Sequence, residues 1–309
     1  MMIYFLLIIG LAGLIKGADI FISGSFFIAN FFKIPKVIVG LTVVTIGTCL
    51  PEASISIIAS LDKNTELAMN NILGANFFNL LVVIGACSMM KNVSVADKNI
   101  LKRDFPFLIF FYLLNCFFCL HTPIGKVEGI LLFILFLVYI TSLIKYATRN
   151  KVEDVEPCPK GNFILLKNIL MIVVGGACVH FCGNIVVDNA GEIAKTLGIN
   201  PTVISFSLLS LGAGLPELIT SIVALRKNQN EIILGNVIGS NIVNSSFALG
   251  LCSFFNPISV DKKMFSNLTI LLLSAIFVFA ILKRKGKIKR YQGFILLTIY
   301  FSYTLYLFF

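Results

Sequence analysis

The sequence predicts an all-α membrane protein, with ten transmembrane helices arranged as two inverted five-helix repeats. Three observations carry this. Of 309 residues, 58% are apolar and only 13% are charged, with a mean hydropathy of +0.95. A water-soluble domain of that length needs far more polar surface to cover its core, so the solvent is lipid. Apolar runs long enough to cross a bilayer recur ten times, and one stretch aligns on a later one without gaps at an offset of 165 residues.

A spanning helix needs about 20 mostly apolar residues. The first candidate, 3–32, is long enough to tilt or bend. It lacks the basic n-region and small-residue cleavage site of a removable leader, and reads as a retained helix. Segments 37–61 and 66–90 follow, carrying Gly, Asn and one Pro among apolar residues, and then the Phe-rich 104–121 and 126–146. The stretch 147–162, with Glu153-Asp154-Val155-Glu156-Pro157, is the one plainly polar connection and reads as a short cytoplasmic linker. Five more spans succeed it, at 163–196, 202–225, 231–255, 266–282 and 291–308. The repeats are therefore expected at 1–146 and 163–309. Trp is absent, so any aromatic belt rests on the eight Tyr.

A net charge of +10 suggests nucleic-acid binding until the charges are placed along the chain. With the flanking helix ends counted, the odd-numbered connections hold 19 basic residues and the even-numbered ones five; Lys16, within the first helix, completes the 25. By the positive-inside rule the odd-numbered connections are cytoplasmic and both termini face outside. The charge is a topology signal, and no nucleic-acid partner is expected.

The offset of 165 relates 40–85 to 205–250, pairing Gly47 with Gly212, Pro51 with Pro216, Glu52 with Glu217 and Ser56 with Ser221. It continues through Asn71/Asn236, Gly74/Gly239, Asn76/Asn241, Asn79/Asn244 and Gly85/Gly250. Chance apolar similarity would match Leu and Ile, not Pro-Glu and three Asn at fixed spacing. Five helices per copy is an odd number, so the second copy enters the membrane from the opposite side. Transporters built this way bind their substrate near the midplane, where the repeats meet.

Thr45, Thr48, Cys49, Glu52 and Ser56 fall on one face of the second helix, and Ser210, Ala213, Gly214, Glu217 and Ser221 repeat that face in the seventh. Pro51 and Pro216 cannot donate to the carbonyls of Gly47 and Gly212. A freed carbonyl one turn before a carboxylate suits a hard cation, which takes several oxygen ligands of mixed charge. Asn71, Ala75 and Asn79 share a face of the third helix, as Asn236, Ser240 and Asn244 do in the eighth. Asn adds an uncharged oxygen, although Ser, Asn and Gly also serve ordinary packing of membrane helices. An ionised carboxylate at a helix centre costs about 2.5–3.5 kcal/mol, and two unpaired ones repel each other. A cation shared by Glu52 and Glu217 accounts for both.

The remaining polar residues carry less. Eight Cys sit mostly in apolar segments without a repeated CxxC, Cys116/Cys119 and Cys178/Cys182 being the nearest to ligand spacing. Asp19 lies one turn from Lys16 and is expected to pair with it, while Asp188 and Glu192 read as an interfacial, solvated face. His121 and His180 have no carboxylate partner in sequence, and no nucleophile elbow, P-loop or HExxH occurs.

Gly47-Thr48-Cys49-Leu50-Pro51-Glu52 and Gly212-Ala213-Gly214-Leu215-Pro216-Glu217 resemble the G-T-S-L-P-E signatures of the two α-repeats of sodium/calcium exchangers. The stretches Asn71–Asn79 and Asn236–Asn244 resemble the G-N-x-x-G-S-N-x-x-(N/D) signatures that follow them. The likeness spans essentially the whole chain. It implies the exchanger fold, with the first and sixth helices sliding across a rigid core, and Na⁺-driven Ca²⁺ antiport. It implies Glu52 and Glu217 as bridging Ca²⁺ ligands, with main-chain carbonyls of Thr48 and Ala213 beside them and Asn79 and Asn244 completing the centre. Thr48, Cys49, Ala75, Ala213, Gly214 and Ser240 then take the positions that line flanking Na⁺ sites. Cys49 and Ala75 stand where the family has Ser, Ala213-Gly214 where it has Thr-Ser, and Asn244 where many members have Asp. The Ca²⁺ site is thus nearly intact, while the Na⁺ sites lose hydroxyls.

The expected function is a Ca²⁺/Na⁺ antiporter of a prokaryotic plasma membrane, with no cofactor, no obligate protein partner and no enzyme activity. The alternatives are an antiporter of the same fold that uses H⁺ or moves Mn²⁺ or Mg²⁺, an intramembrane enzyme using two carboxylates as acid and base, and a non-transporting relative.

Overall fold

The computed structural model describes residues 2–95, 97–120, 123–151, 161–196 and 201–308, without the side chains of 194, 201–213 and 306–308. Among the described residues ten long helices follow in chain order. They are α1 (Met2–Phe31), α2 (Lys36–Leu61), α3 (Thr65–Met90) and α4 (Phe105–Cys119, entered through a π turn at Ile100–Asp104), then α5 (Lys126–Arg149) and α6 (Asn162–Thr196). The last four are α7 (Pro201–Arg226), α8 (Asn230–Phe255), α9 (Lys262–Lys285) and α10 (Arg290–Phe308). Each matches a span read from hydropathy. The ends differ most where charged residues stand, as at Lys262 and Lys285, because a helix continues past the apolar slab into the interface. Large apolar side chains such as Val127, Phe163 and Leu120 lie on the outside, as a lipid solvent requires.

Local signals set the turns. Asn64 accepts from Leu67 N at 3.2 Å and starts α3, and Asp261 accepts from Met264 N at 2.7 Å and starts α9. Lys63 and Asn228, 165 positions apart, both adopt positive φ (63° and 58°), so the turn after α2 repeats after α7.

Pairing between connections follows the parity of the crossings. Strand β1 (Val93–Ser94), between α3 and α4, pairs antiparallel with β2 (Lys287–Ile288), between α9 and α10. Ile124, before α5, bridges Ile258, before α9. Odd connections meet odd and even meet even, as a chain that crosses at every helix demands.

Small residues let the helices approach closely, the usual device where lipid supplies no hydrophobic drive. Gly17 and Gly24 of α1 sit against Cys178 and Asn168 of α6, so the two helices run antiparallel as a pair. Elsewhere the halves exchange helices. A Cβ on Gly129 (α5) would lie 2.6 Å from Gly250 O (α8), and one on Gly293 (α10) would lie 2.6 Å from Gly85 O (α3). Gly85 and Gly250 are an identical pair of the internal alignment, so one contact is made twice. Gly293→Val is expected to destabilise the protein by about 1–3 kcal/mol through overpacking, read as a lowered Tm in detergent.

Candidate cation site

Four helices, α2, α3, α7 and α8, enclose the predicted residues. Pro51 lies within α2 and Pro216 within α7, each one residue before its glutamate. Helices α3 and α8 pass through π turns, Phe78–Val83 and Asn244–Ala248, that contain Asn79 and Asn244. A π turn inserts an extra residue and re-aims the side chains there. The polar face of α2 is turned inward: Thr45, Thr48, Cys49, Glu52 and Ser56 are all buried, as are Glu217 and Ser221 on α7.

The structure brings the two glutamates together. One ligand atom each from Cys49, Glu52 and Glu217 lie within 4.8 Å of one another. Cys49 Sγ donates to Glu217 Oε1 at 3.5 Å. Thr48 lies beside Glu217, Asn244 beside Glu52 and Ser240 beside Cys49.

Most of these groups have no protein partner. Both carboxylate oxygens of Glu52, Glu217 Oε2, Ser221 Oγ, Ser240 Oγ, both amide atoms of Asn79, Asn236 Nδ2 and Asn244 Nδ2 are buried without a hydrogen bond of normal geometry. In folded proteins about nine in ten buried polar groups are satisfied. Nine orphaned atoms on the four helices that carry the glutamates, three of them carboxylate oxygens, mark a candidate ligand site.

Other repeated asparagines hold the frame. Asn71 Nδ2 donates to Ser56 Oγ at 2.9 Å and to the Glu52 carbonyl at 3.4 Å, fixing the helix turn that carries the glutamate. Thr48 Oγ1 donates to Asn236 Oδ1 at 3.3 Å, and Asn76 Nδ2 to Ser245 Oγ at 2.9 Å. Tyr112 OH donates to Asn241 Oδ1, and Asn115 Nδ2 to the Ser245 carbonyl at 2.9 Å. Tyr112, Asn115 and Ser245 were not expected from sequence. The one available signal was Ser245-Ser246, which stands where the first repeat has Leu80-Leu81.

The flanks of the glutamate pair are unequal. On one side lie the Cys49 thiol and the Ser240 hydroxyl. Their counterparts by the offset of 165 are Gly214 and Ala75. A Cβ on Gly214 would stand 1.9 Å from Phe78 Cδ1, so the phenyl ring of Phe78 occupies the space a side chain there would take. The first repeat's ring has no equal in the second, where Val243 holds the matching position. The side chain of Ala213 lies outside the described residues.

The peripheral candidates separate. Asp19 does not pair with Lys16: its carboxylate meets Lys227 Nζ at 2.8 Å, and Lys227 also donates to Ser23 Oγ at 2.5 Å. Glu192 pairs with Lys195 at 2.6 Å on an exposed surface. His180 Nε2 lies 3.4 Å from Asn184 Nδ2, and His121 is outside the described residues. Cys178 and Cys182 Sγ stand 3.7 Å apart as free thiols.

The model of the family described as sodium/calcium exchanger protein matches residues 2–145 and 167–309. Membrane protein MJ0091 of Methanocaldococcus jannaschii is 33% identical over 96% of this chain and 94% of its own length. Sodium/calcium exchanger MaX1 of Methanosarcina acetivorans is 27% identical over 99% of this chain and 98% of its own. Among solved structures, the sodium-calcium exchanger NCX_Mj superposes with a TM-score of 0.84 at 29% identity, covering 97% of both chains. Ten helices, paired Pro-Glu helices and a family match along nearly the whole length agree: the chain is an integral multi-pass membrane protein that belongs to the sodium/calcium exchanger family.

Proposed function

We propose that the protein is a secondary-active antiporter that moves Ca²⁺ against Na⁺ by alternating access, with Glu52 and Glu217 as the bridging Ca²⁺ ligands. The observation that carries this is the pair of buried glutamates from pseudo-equivalent helices, with three of their four carboxylate oxygens unpartnered. Two carboxylates balance one divalent ion, or two monovalent ions, and among the described residues no ion pair neutralises them. Ca²⁺ takes 6–8 oxygens. The proposed shell is the two carboxylates, the main-chain carbonyls of Thr48 and Ala213, and the amide oxygens of Asn79 and Asn244. Cys49, Ser240, Gly214 and Ala75 line the flanks. The name of MaX1 and the NCX_Mj crystals soaked with Na⁺ and Ca²⁺ support these substrates. By the positive-inside rule the basic connections support both termini lying outside a prokaryotic plasma membrane.

Phe78 and Gly214 sharpen the exchange ratio. One flank offers a thiol and a hydroxyl, and the other an apolar wall, so fewer than three Na⁺ accompany each Ca²⁺. The loss of hydroxyl ligands equally favours a second reading, H⁺ as the counter-ion, since protonating a carboxylate needs no coordination shell. Vesicles loaded with Na⁺ and offered ⁴⁵Ca²⁺ distinguish these. Uptake driven by Na⁺ without net current gives two Na⁺ per Ca²⁺, uptake driven by a pH gradient alone gives the second reading, and a current matching three Na⁺ refutes the reduced ratio.

A further inference from the structure

One group in the proposed Ca²⁺ site is a poor partner for Ca²⁺. The Cys49 thiol is fully buried, and its sulfur stands with one oxygen of Glu52 and one of Glu217 inside a 4.8 Å cluster. We infer that Cys49, Glu52 and Glu217 together bind a thiophilic divalent cation of the Zn²⁺ or Cd²⁺ type, through one sulfur and two carboxylate oxygens, more tightly than they bind Ca²⁺. The inference rests on the cation-site reading above and specifies which ion the site prefers.

Geometry supplies the first argument. With Zn–S near 2.3 Å and Zn–O near 2.1 Å, a tetrahedral edge between sulfur and oxygen is about 3.6 Å. Cys49 Sγ and Glu217 Oε1 are 3.5 Å apart. A fourth donor is at hand, because Ser240 Oγ lies beside Cys49, buried and unpartnered.

Donor chemistry is the second argument. Hard Ca²⁺ gathers 6–8 oxygens, whereas a thiolate selects Zn²⁺ and its softer relatives. Phe78 fills the opposite flank against Gly214, so the sulfur and hydroxyl donors lie on one side of the glutamates only. On binding, the thiol S–H breaks, its proton leaves to water and the metal–sulfur bond forms, with no change of oxidation state. A proton kept by one carboxylate leaves the complex neutral.

The purified full-length chain carrying Cys178→Ser and Cys182→Ser, which removes the two thiols that stand 3.7 Å apart, is titrated with Cd²⁺ and with Ca²⁺. Calorimetry gives the affinities, and sulfur-to-cadmium charge-transfer absorption reports thiolate ligation. In this background Cd²⁺ is expected to bind at least tenfold more tightly than Ca²⁺ and to produce the absorption band. Adding Cys49→Ser is expected to erase the band and lower the ratio of Cd²⁺ to Ca²⁺ affinity at least tenfold. A band and a ratio that survive Cys49→Ser overturn the inference while leaving Ca²⁺ binding, and hence the antiporter reading, untouched. Cd²⁺ binding that depends on Cys49 in a protein that never binds Ca²⁺ upholds the inference and sinks Ca²⁺ as the substrate.

Discussion

Glu52→Gln weakens divalent-cation binding severely while leaving the ion-free protein at least as stable as before. The substitution keeps the shape of the side chain and removes its charge. Glu52 is 5% exposed and neither of its oxygens accepts a hydrogen bond, so the change breaks no internal bond. Binding loses one of two charged ligands in a water-poor interior, where removing one member of a close charge pair costs about 2–5 kcal/mol. Affinity should fall by about 30-fold to 4,000-fold, with ⁴⁵Ca²⁺ exchange lost and the Tm of ion-free protein unchanged or raised. A glutamate kept only for packing would give the opposite pair of results, a lowered Tm with intact binding.

The second large effect concerns Phe78 and Gly214. Gly214→Ser alone forces a side chain into the Phe78 ring, since even a Cβ would lie 1.9 Å from Cδ1, and is expected to cost about 1–3 kcal/mol or more. Phe78→Val alone, which copies Val243 of the other repeat, leaves a void beside Gly214 and costs about 2–4 kcal/mol. Together the two changes fill each other's defect. The double variant should be more stable than the sum of the single effects predicts by at least about 1 kcal/mol, a coupling expected of residues in direct contact. It also opens the closed flank and gives it a hydroxyl, so its Na⁺ dependence of exchange should steepen. A double variant with additive stability loss and unchanged Na⁺ dependence refutes the account of Phe78 as the plug of that flank.

How much of this was legible in the sequence follows from what is local and what is not. The ten spans were, because lipid imposes long apolar runs on each helix separately. The repeat was, because Pro-Glu and three asparagines recur at one offset, and the inward turn of Thr48, Cys49, Glu52 and Ser56 follows from helical spacing alone. The π turns at Asn79 and Asn244 were not, because a π turn depends on tertiary packing and carries no sequence signature of its own. Phe78 read as one more apolar residue, and only the meeting of α3 with α7 gives it a role. Asp19 was assigned to Lys16 because the nearest basic residue on the same helix is the only partner that sequence offers. Lys227, 208 positions away, takes it instead. Asn71 was visible as a repeated polar residue, but its task of tying down the Glu52 carbonyl was not.

That bond between Asp19 and Lys227 has a consequence for timing. It joins α1, the helix that the family resemblance assigns to the sliding pair, to the turn after α7. The positions that the offset of 165 pairs with them are Asn184 and Asp62, which cannot form an ion pair. Among the described residues this clasp is therefore made once and its counterpart is not. An ion pair of this exposure is worth about 0–1 kcal/mol, a preference of at most about fivefold. In the alternating-access cycle proposed above, breaking that pair would add at most this margin to one stroke, small enough for a bound ion to offset. Two halves that sequence makes nearly interchangeable thereby carry different tethers, and in the proposed cycle the forward and backward strokes would not be equivalent.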